Sequence, residues 1–541
     1  MESNKPVSTS AFADLGFRTT VAARMEIVKN IYLEDTIPWV IGYSGGKDST
    51  ATLQLVWKAL RQLAPEQLHK DVHVISTDTL VENPIVSQWV GHSLEVMSKA
   101  AQEQGLPIKP HRLTPEVKDR FWVNLIGKGY PTPRPRFRWC TSRLKISPSN
   151  NFIKKLEQQN GEAIVVLGTR KSESTSRAAS MKRHEGSTRE WLNRNGQLDR
   201  SWVFTPVEDW TNDDVWIYLM QEKNPWGFDN SALMGMYQGA TTDGECPLVV
   251  DSTTPSCGDS RFGCYVCTMV SQDKSMSAMI RNDGEKEWMS PLLKLRNEKL
   301  LTTNDRHLRE FRRMDGRLTL MEVSREGPDV KRAPNGKLYQ LVHGPYKQSY
   351  REELLRGLLE AQKEVYAKAP ENIKFDLFTI EDLQEIRRIW LFEKHEIEDS
   401  VPRIYEEVMG KLYPGDPLDE NQVFDAGDIE VLREITKSEE DPEQLHFHLV
   451  RQLLAVEGKY QHAARRAGLF DELNAVLENH AFKDENEALD FAVLRSDAVE
   501  EAKKEMEYEF VQRVISITRV DAADTDMDTD ADAHAELPEE H

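Results

Sequence analysis

Residues 44–50 read Ser44-Gly45-Gly46-Lys47-Asp48-Ser49-Thr50, and the chain on either side decides what that heptad is. An apolar run of strand character, 39–43, leads into it. Behind it, Ala51, Leu53, Leu55, Val56, Ala59 and Leu60 fall on one face of a helix. A glycine turn between strand and helix gathers free backbone N–H groups and the positive helix end on one spot, which suits a phosphate. Gly45 and Gly46 allow close approach, Lys47 adds a charge, and Ser44 and Ser49 add hydroxyl donors. The Walker pattern Gly-x-x-x-x-Gly-Lys-Ser/Thr is absent, because Ile41 stands where its first glycine belongs and Asp48 follows the lysine.

Strand-like runs at 39–43, 72–76 and 163–167 alternate with helical patterns at 50–63, 84–104, 149–159 and 212–222. That alternation predicts an α/β domain with a mostly parallel sheet over 17–230. Residues 1–16 are polar and expected to be mobile. A segment over 231–345 is rich in Gly, Ser, Thr, Pro and Cys in its first part, 231–275, and later gives two alternating runs, 317–323 and 337–342, that predict a hairpin. A helical, acidic domain is expected over 346–520, and 521–541 has almost nothing to bury and is expected to stay disordered.

The net charge of −21 is unevenly placed. Residues 1–350 hold 47 Lys and Arg against 41 Asp and Glu, the remainder 22 against 49, and 101–200 alone 20 against 9. The front is therefore locally basic while the rear sets the acidity. No apolar run approaches about 18 residues and the first residues carry no signal pattern, so a cytoplasmic protein without membrane contact is expected.

Four of the five cysteines follow the spacing Cys246-x10-Cys257-x6-Cys264-x2-Cys267. Four thiolates in a polar segment suit tetrahedral zinc or an iron–sulfur cluster, and the spacing leaves that choice open. Cys140 stands apart, between Arg134, Arg136, Arg138, Arg143 and Lys145, and these charges are expected to favour its nucleophilic thiolate. The same arginines, interleaved with Phe137 and Trp139, suit a phosphodiester backbone. Asp78 follows the second strand, where α/β ligands bind. After the third come Gly168, which permits close backbone approach, and Arg170 and Arg177, which suit phosphate. Trp210 and Trp216 read as core around a capped helix.

The Ser44–Ser49 stretch resembles the Ser-Gly-Gly-x-Asp-Ser PP-loop of the ATP pyrophosphatases, which implies the adenine nucleotide α-hydrolase-like fold and cleavage of ATP between its α and β phosphates. With Thr77-Asp78-Thr79, Gly168 to Arg177 and Asp209-Trp210 to Trp216 in the same order, the chain resembles the phosphoadenosine phosphosulfate (PAPS) reductase-like branch. Arg138-Trp139-Cys140-Thr141 and the late cysteines make it similar to the DndC sulfurtransferases of bacterial DNA phosphorothioation, over about residues 30–270. PAPS reductases carry their catalytic cysteine in a carboxyl-terminal tail, and no cysteine follows Cys267. The resemblance implies ATP bound with Mg²⁺ by Ser44, Gly45, Gly46, Lys47, Asp48, Ser49, Asp78, Gly168, Arg170 and Arg177. It implies a 4Fe-4S cluster on Cys246, Cys257, Cys264 and Cys267, and Cys140, Lys47 and Asp48 as catalytic residues. Its implied partners are DNA, a cysteine desulfurase as sulfur donor, and other Dnd components including an ATPase. An ATP-dependent tRNA-base thiolase or a PAPS reductase-like enzyme is the alternative.

Overall fold

Parallel strands with both faces covered should be largely apolar, and the central strands are, with His73, Ser76 and Thr77 of the second the exceptions. In the computed structural model, β1 (Trp39–Gly42), β2 (Val72–Thr77) and β4 (Ala163–Val166) are buried along almost their whole length. The structure describes residues 9–135, 137–173, 189–240, 262–302, 304–371, 373–396, 398–416, 426–439, 441, 444–460, 465–480, 482 and 484–525. Trp39, Ile41, Val72, Val74, Ile164 and Val166 enter one core with α1 (Phe17–Glu34), α2 (Lys47–Leu60) and α3 (Pro84–Glu103). The alternate residues Val40, Ile75, Ala163 and Val165 meet α4 (Ser147–Asn160) on the opposite face.

With β3 (Ile108–Leu113), β5 (Leu192–Arg194) and β6 (Ser201–Phe204), the sheet runs in the order β3-β2-β1-β4-β6-β5, parallel except for β5. The chain winds outward from β1 through β2 to β3, then crosses to β4 on the other side of β1. A crevice therefore opens between the carboxyl ends of β1 and β4, the place where open α/β sheets bind ligands.

The chain forms two compact units, residues 1–305 with 347–421, and 306–346 with 422–541. This division departs from the expected segments, because the helical region is shared between the units. Helices α8 (Gln348–Lys368), α9 (Ile380–Arg388) and α10 (Ser400–Met409) belong to the sheet unit. The Trp122 indole donates to the Leu377 carbonyl at 2.7 Å, the Trp390 indole to the Ile126 carbonyl at 3.0 Å, and Arg351 pairs with buried Glu396. The expected hairpin is present as β7 (Leu320–Val323) against β9 (Leu338–Leu341), with β8 (Lys331–Arg332) on the other side of β9. In that second unit Phe311 and Leu341 share a core with Leu445, Leu489 and Val493 of α12 (Leu445–Tyr460) and α14 (Glu485–Thr525).

The two segments expected to be mobile or disordered are described only in part, with residues 1–8 and 526–541 outside the described residues. Asp214 takes the Ala11 N–H at 3.0 Å and Phe12 packs edge-on to Trp210, so residues 10–12 are tied down. Helix α14 continues to Thr525, carried into the acidic tail by helix-favouring residues such as Ala522 and Ala523. Trp210 and Trp216 are buried as expected.

Candidate functional site

The heptad folds as its residue types require. Gly45 has φ +73°, and a Cβ there would stand 2.5 Å from Val90 Cγ2. Helix α2 begins at Lys47, so the amides of the loop's end are orphan donors of the first turn. Ser49 Oγ donates to the Gly46 carbonyl at 3.0 Å and accepts the Ser44 N–H at 3.2 Å, closing the loop on itself.

The β4 end completes the crevice. A Cβ on Gly168 would lie 2.7 Å from the Asp48 carbonyl oxygen and 2.9 Å from Thr52 Oγ1, so only glycine allows the two chain segments this approach. Arg170, 5% exposed, donates to Asp48 Oδ1 at 2.6 Å, and Lys47 Nζ lies 3.2 Å from Asp48 Oδ2. Both carboxylate oxygens are thus engaged by cations. This fits the task of holding loop and strand end together. Arg170 also bonds Ser172 Oγ at 2.8 Å and the Trp210 carbonyl at 3.3 Å. Arg177 lies outside the described residues.

Asp78 sits at the carboxyl end of β2. It accepts the Leu80 N–H at 2.9 Å and Arg112 Nε at 3.1 Å, while Asn83 caps α3. The next residues receive the described cysteines. Glu82 bridges to Cys264, Tyr265 N–H donates to the Val81 carbonyl at 3.0 Å, and Thr79 Oγ1 lies 3.6 Å from Cys264 Sγ. From the other side Thr268 bonds the Pro133 carbonyl at 2.7 Å, and fully buried Arg296 bonds the Cys267 carbonyl at 2.7 Å. A corner is therefore assembled from 78–83, 131–145 and 262–268.

Cys140 belongs to this corner, within electrostatic reach of Cys267, and is not set apart from the late cysteines. Its expected thiolate is not favoured. Burial pushes the Cys140 thiol up, and Cys267 adds to the shift. Two of the neighbouring cations are engaged elsewhere, Arg134 with Asp305 and Arg143 with Asp119, while Lys145 lies 3.6 Å from Glu82 and also faces Cys264 and Cys140. Burial also raises Glu82, and pushes Cys264 up to about 11 against the opposing pull of Lys145. Cys246, Cys257 and Arg136 lie outside the described residues. Cys264 and Cys267 share one turn, with the Cys267 N–H on the Cys264 carbonyl at 3.0 Å, and this pair fits two ligands of a soft metal cluster. Among the described residues no three His, Cys, Asp or Glu side chains form an ion-sized site.

The sequence reading missed Tyr237 on α6 (Asn230–Gly239), whose hydroxyl accepts the Lys47 amide N–H at 3.4 Å. It also missed a cavity of about 750 Å³ beside the corner, lined by Asp78, Glu82, Arg112, Arg120, Trp288 and Phe375. Neither has a local sequence signal, since each is made by segments far apart in the chain.

The crevice and its sheet define a PP-loop α/β domain. Residues 38–227 match the phosphoadenosine phosphosulfate reductase domain. Two uncharacterized proteins of Methanocaldococcus jannaschii are similar. MJ0066 is 31% identical over 208 residues, 37% of this chain and 36% of its own length. MJ0973 is 27% identical over 180 residues, 33% of this chain and 34% of its own. The match thus spans about a third of each relative. Among solved structures, the U34-tRNA thiolase NcsA from Methanococcus maripaludis with its 4Fe-4S cluster covers 53% of this chain and 81% of its own, at 14% identity and TM-score 0.26. FMN adenylyltransferase of Candida glabrata, in complex with FAD and inorganic pyrophosphate, covers 40% and 61% at 12% identity and TM-score 0.23. Likenesses this slight carry no argument about activity. No described helix is long and apolar enough to cross a membrane.

Proposed function

We propose that the chain is an ATP-dependent sulfurtransferase that cleaves ATP between its α and β phosphates and passes sulfur to the activated acceptor. The observation that carries this reading is the meeting of the Ser44–Ser49 loop with Gly168 and Arg170 at the switch point of the sheet, on the strand end next to the cysteine corner.

In the finer reading the acceptor is a DNA backbone phosphate, and the reaction is that of the DndC type. A non-bridging phosphate oxygen attacks the α-phosphorus of ATP and pyrophosphate leaves, giving an adenylated phosphodiester. Lys47 and the amides of Gly45 and Gly46 stabilise the charge that develops on the departing phosphates. The terminal sulfur of a persulfide on Cys140 then bonds to the DNA phosphorus as the bond to AMP breaks. One thiol attacks the Cys140 sulfur and expels the phosphorothioate, which leaves a mixed disulfide on Cys140, and a second thiol reduces that disulfide and frees Cys140. Burial keeps the unloaded Cys140 thiol protonated between turnovers. A 4Fe-4S cluster held by Cys246, Cys257, Cys264 and Cys267 supplies electron transfer or sulfide handling when bound. A cysteine desulfurase would load Cys140, and other Dnd components, an ATPase among them, would present the DNA. Partners suit this role because Arg134 and Arg143 are already paired with acids of this chain.

The test is anaerobically purified protein with α-labelled ATP, a sulfur donor and DNA. The reading expects AMP, pyrophosphate and phosphorothioate linkages found by mass spectrometry of the digested DNA. Thiolated bases in tRNA, with unmodified DNA, would move the same chemistry to the alternative acceptor. A chain that yields neither AMP nor pyrophosphate is no ATP pyrophosphatase.

A further inference from the structure

Tyr237 stands 190 residues from the loop it touches. Its hydroxyl accepts the Lys47 amide N–H at 3.4 Å, and a Cβ added to Gly46 would lie 3.2 Å from the same oxygen. The Lys47 ammonium lies 5.6 Å from the centre of its ring. Edge contacts with Trp216 and Phe262, at 5.2 and 4.8 Å between centroids, fix that ring in place. The side chain is 9% exposed, and burial pushes the phenol up to about 12, so the oxygen keeps its proton at neutral pH. Among the described residues that proton has no acceptor. A protonated, nearly buried hydroxyl without an acceptor, set against an anion-binding loop, is a donor waiting for an anion.

We infer that Tyr237 is a phosphate-contacting residue of the nucleotide site, its hydroxyl donating to the phosphate chain of ATP while its ring positions the Lys47 ammonium. The assignment rests on the ATP reading above. It adds to that reading a ligand contributed from outside the heptad and from outside the strand ends.

Tyr237→Phe in the full-length chain removes the donor and keeps the ring. Calorimetric titration with ATP and with adenosine, beside steady-state pyrophosphate release, reads the effect. ATP affinity and the kcat/KM for pyrophosphate release should each fall about tenfold, as for loss of a hydrogen bond to a charged group. Adenosine affinity should not change. Equal loss of ATP and adenosine binding would reduce Tyr237 to a packing residue and overturn the assignment. So would wild-type kinetics, or tighter ATP binding, the latter making the hydroxyl a rival of phosphate for the Lys47 amide. A wild-type chain that binds adenosine and ATP equally weakly would overturn the ATP reading itself, and this role with it.

Discussion

The loop crevice and the cysteine corner lie at the carboxyl ends of adjacent strands, yet they control their ionisable groups in opposite ways. In the crevice, opposite charges meet at hydrogen-bond distance, with Asp48 between Arg170 and Lys47. In the corner, exclusion of water dominates, and burial holds Cys140, Cys264 and Glu82 toward their neutral forms despite Lys145. The first arrangement keeps charges ready for a charged ligand. The second disfavours free thiolates.

If that contrast is functional, the two sites separate under mutation. Cys140→Ser should abolish sulfur incorporation while pyrophosphate release continues at the wild-type rate. Loss of both activities would make Cys140 a structural member of one joint site. Asp48→Ala removes one charged partner from buried Arg170, and we expect a loss of about 3 kcal/mol in stability together with nucleotide binding. Chemical denaturation and ATP titration check this, and an unchanged midpoint would mean that the other partners of Arg170, Ser172 and the Trp210 carbonyl among them, suffice to hold it.

The strand that carries the corner offers a third comparison. His73 Nδ1 lies 3.0 Å from His111 Nε2, and burial, with His111 adding to it, lowers His73 to about 4. Because the folded value lies below the ordinary 6.5, the unfolded chain takes the proton first as pH falls. Stability should therefore be intact above about pH 6.5 and decline toward pH 4, by about 3 kcal/mol. His73→Phe should flatten that slope in melts at stepped pH, and an unaltered slope would assign the acid sensitivity to other groups. The smallest effect is expected from Gly168→Ala. Its Cβ would press on the Asp48 carbonyl, costing about 2 kcal/mol and weakening ATP binding while the corner's thiols keep their reactivity toward alkylating reagents.

Legibility followed how local each feature is. The heptad, its flanking strand and helix, β2 and β4 were readable because each is one continuous pattern of apolar and glycine residues. Strand β3, Ile-Lys-Pro-His-Arg-Leu, was not, since edge position lets it carry Pro110 and charged residues that no central strand would accept. The state of Cys140 was misread for a related reason. Arginines adjacent in sequence suggest a positive environment, but the carboxylates that neutralise them, Asp119 and Asp305, arrive from elsewhere. Tyr237 was invisible on the same ground.

The ion pair between Asp48 and Arg170 joins the starts of two connections, the helix after β1 and the segment after β4. A nucleotide entering this crevice meets donors already in place, so little chain entropy is lost on association. Calorimetry should then find binding driven mainly by enthalpy, with a small heat-capacity change, in contrast to a loop that folds around its guest.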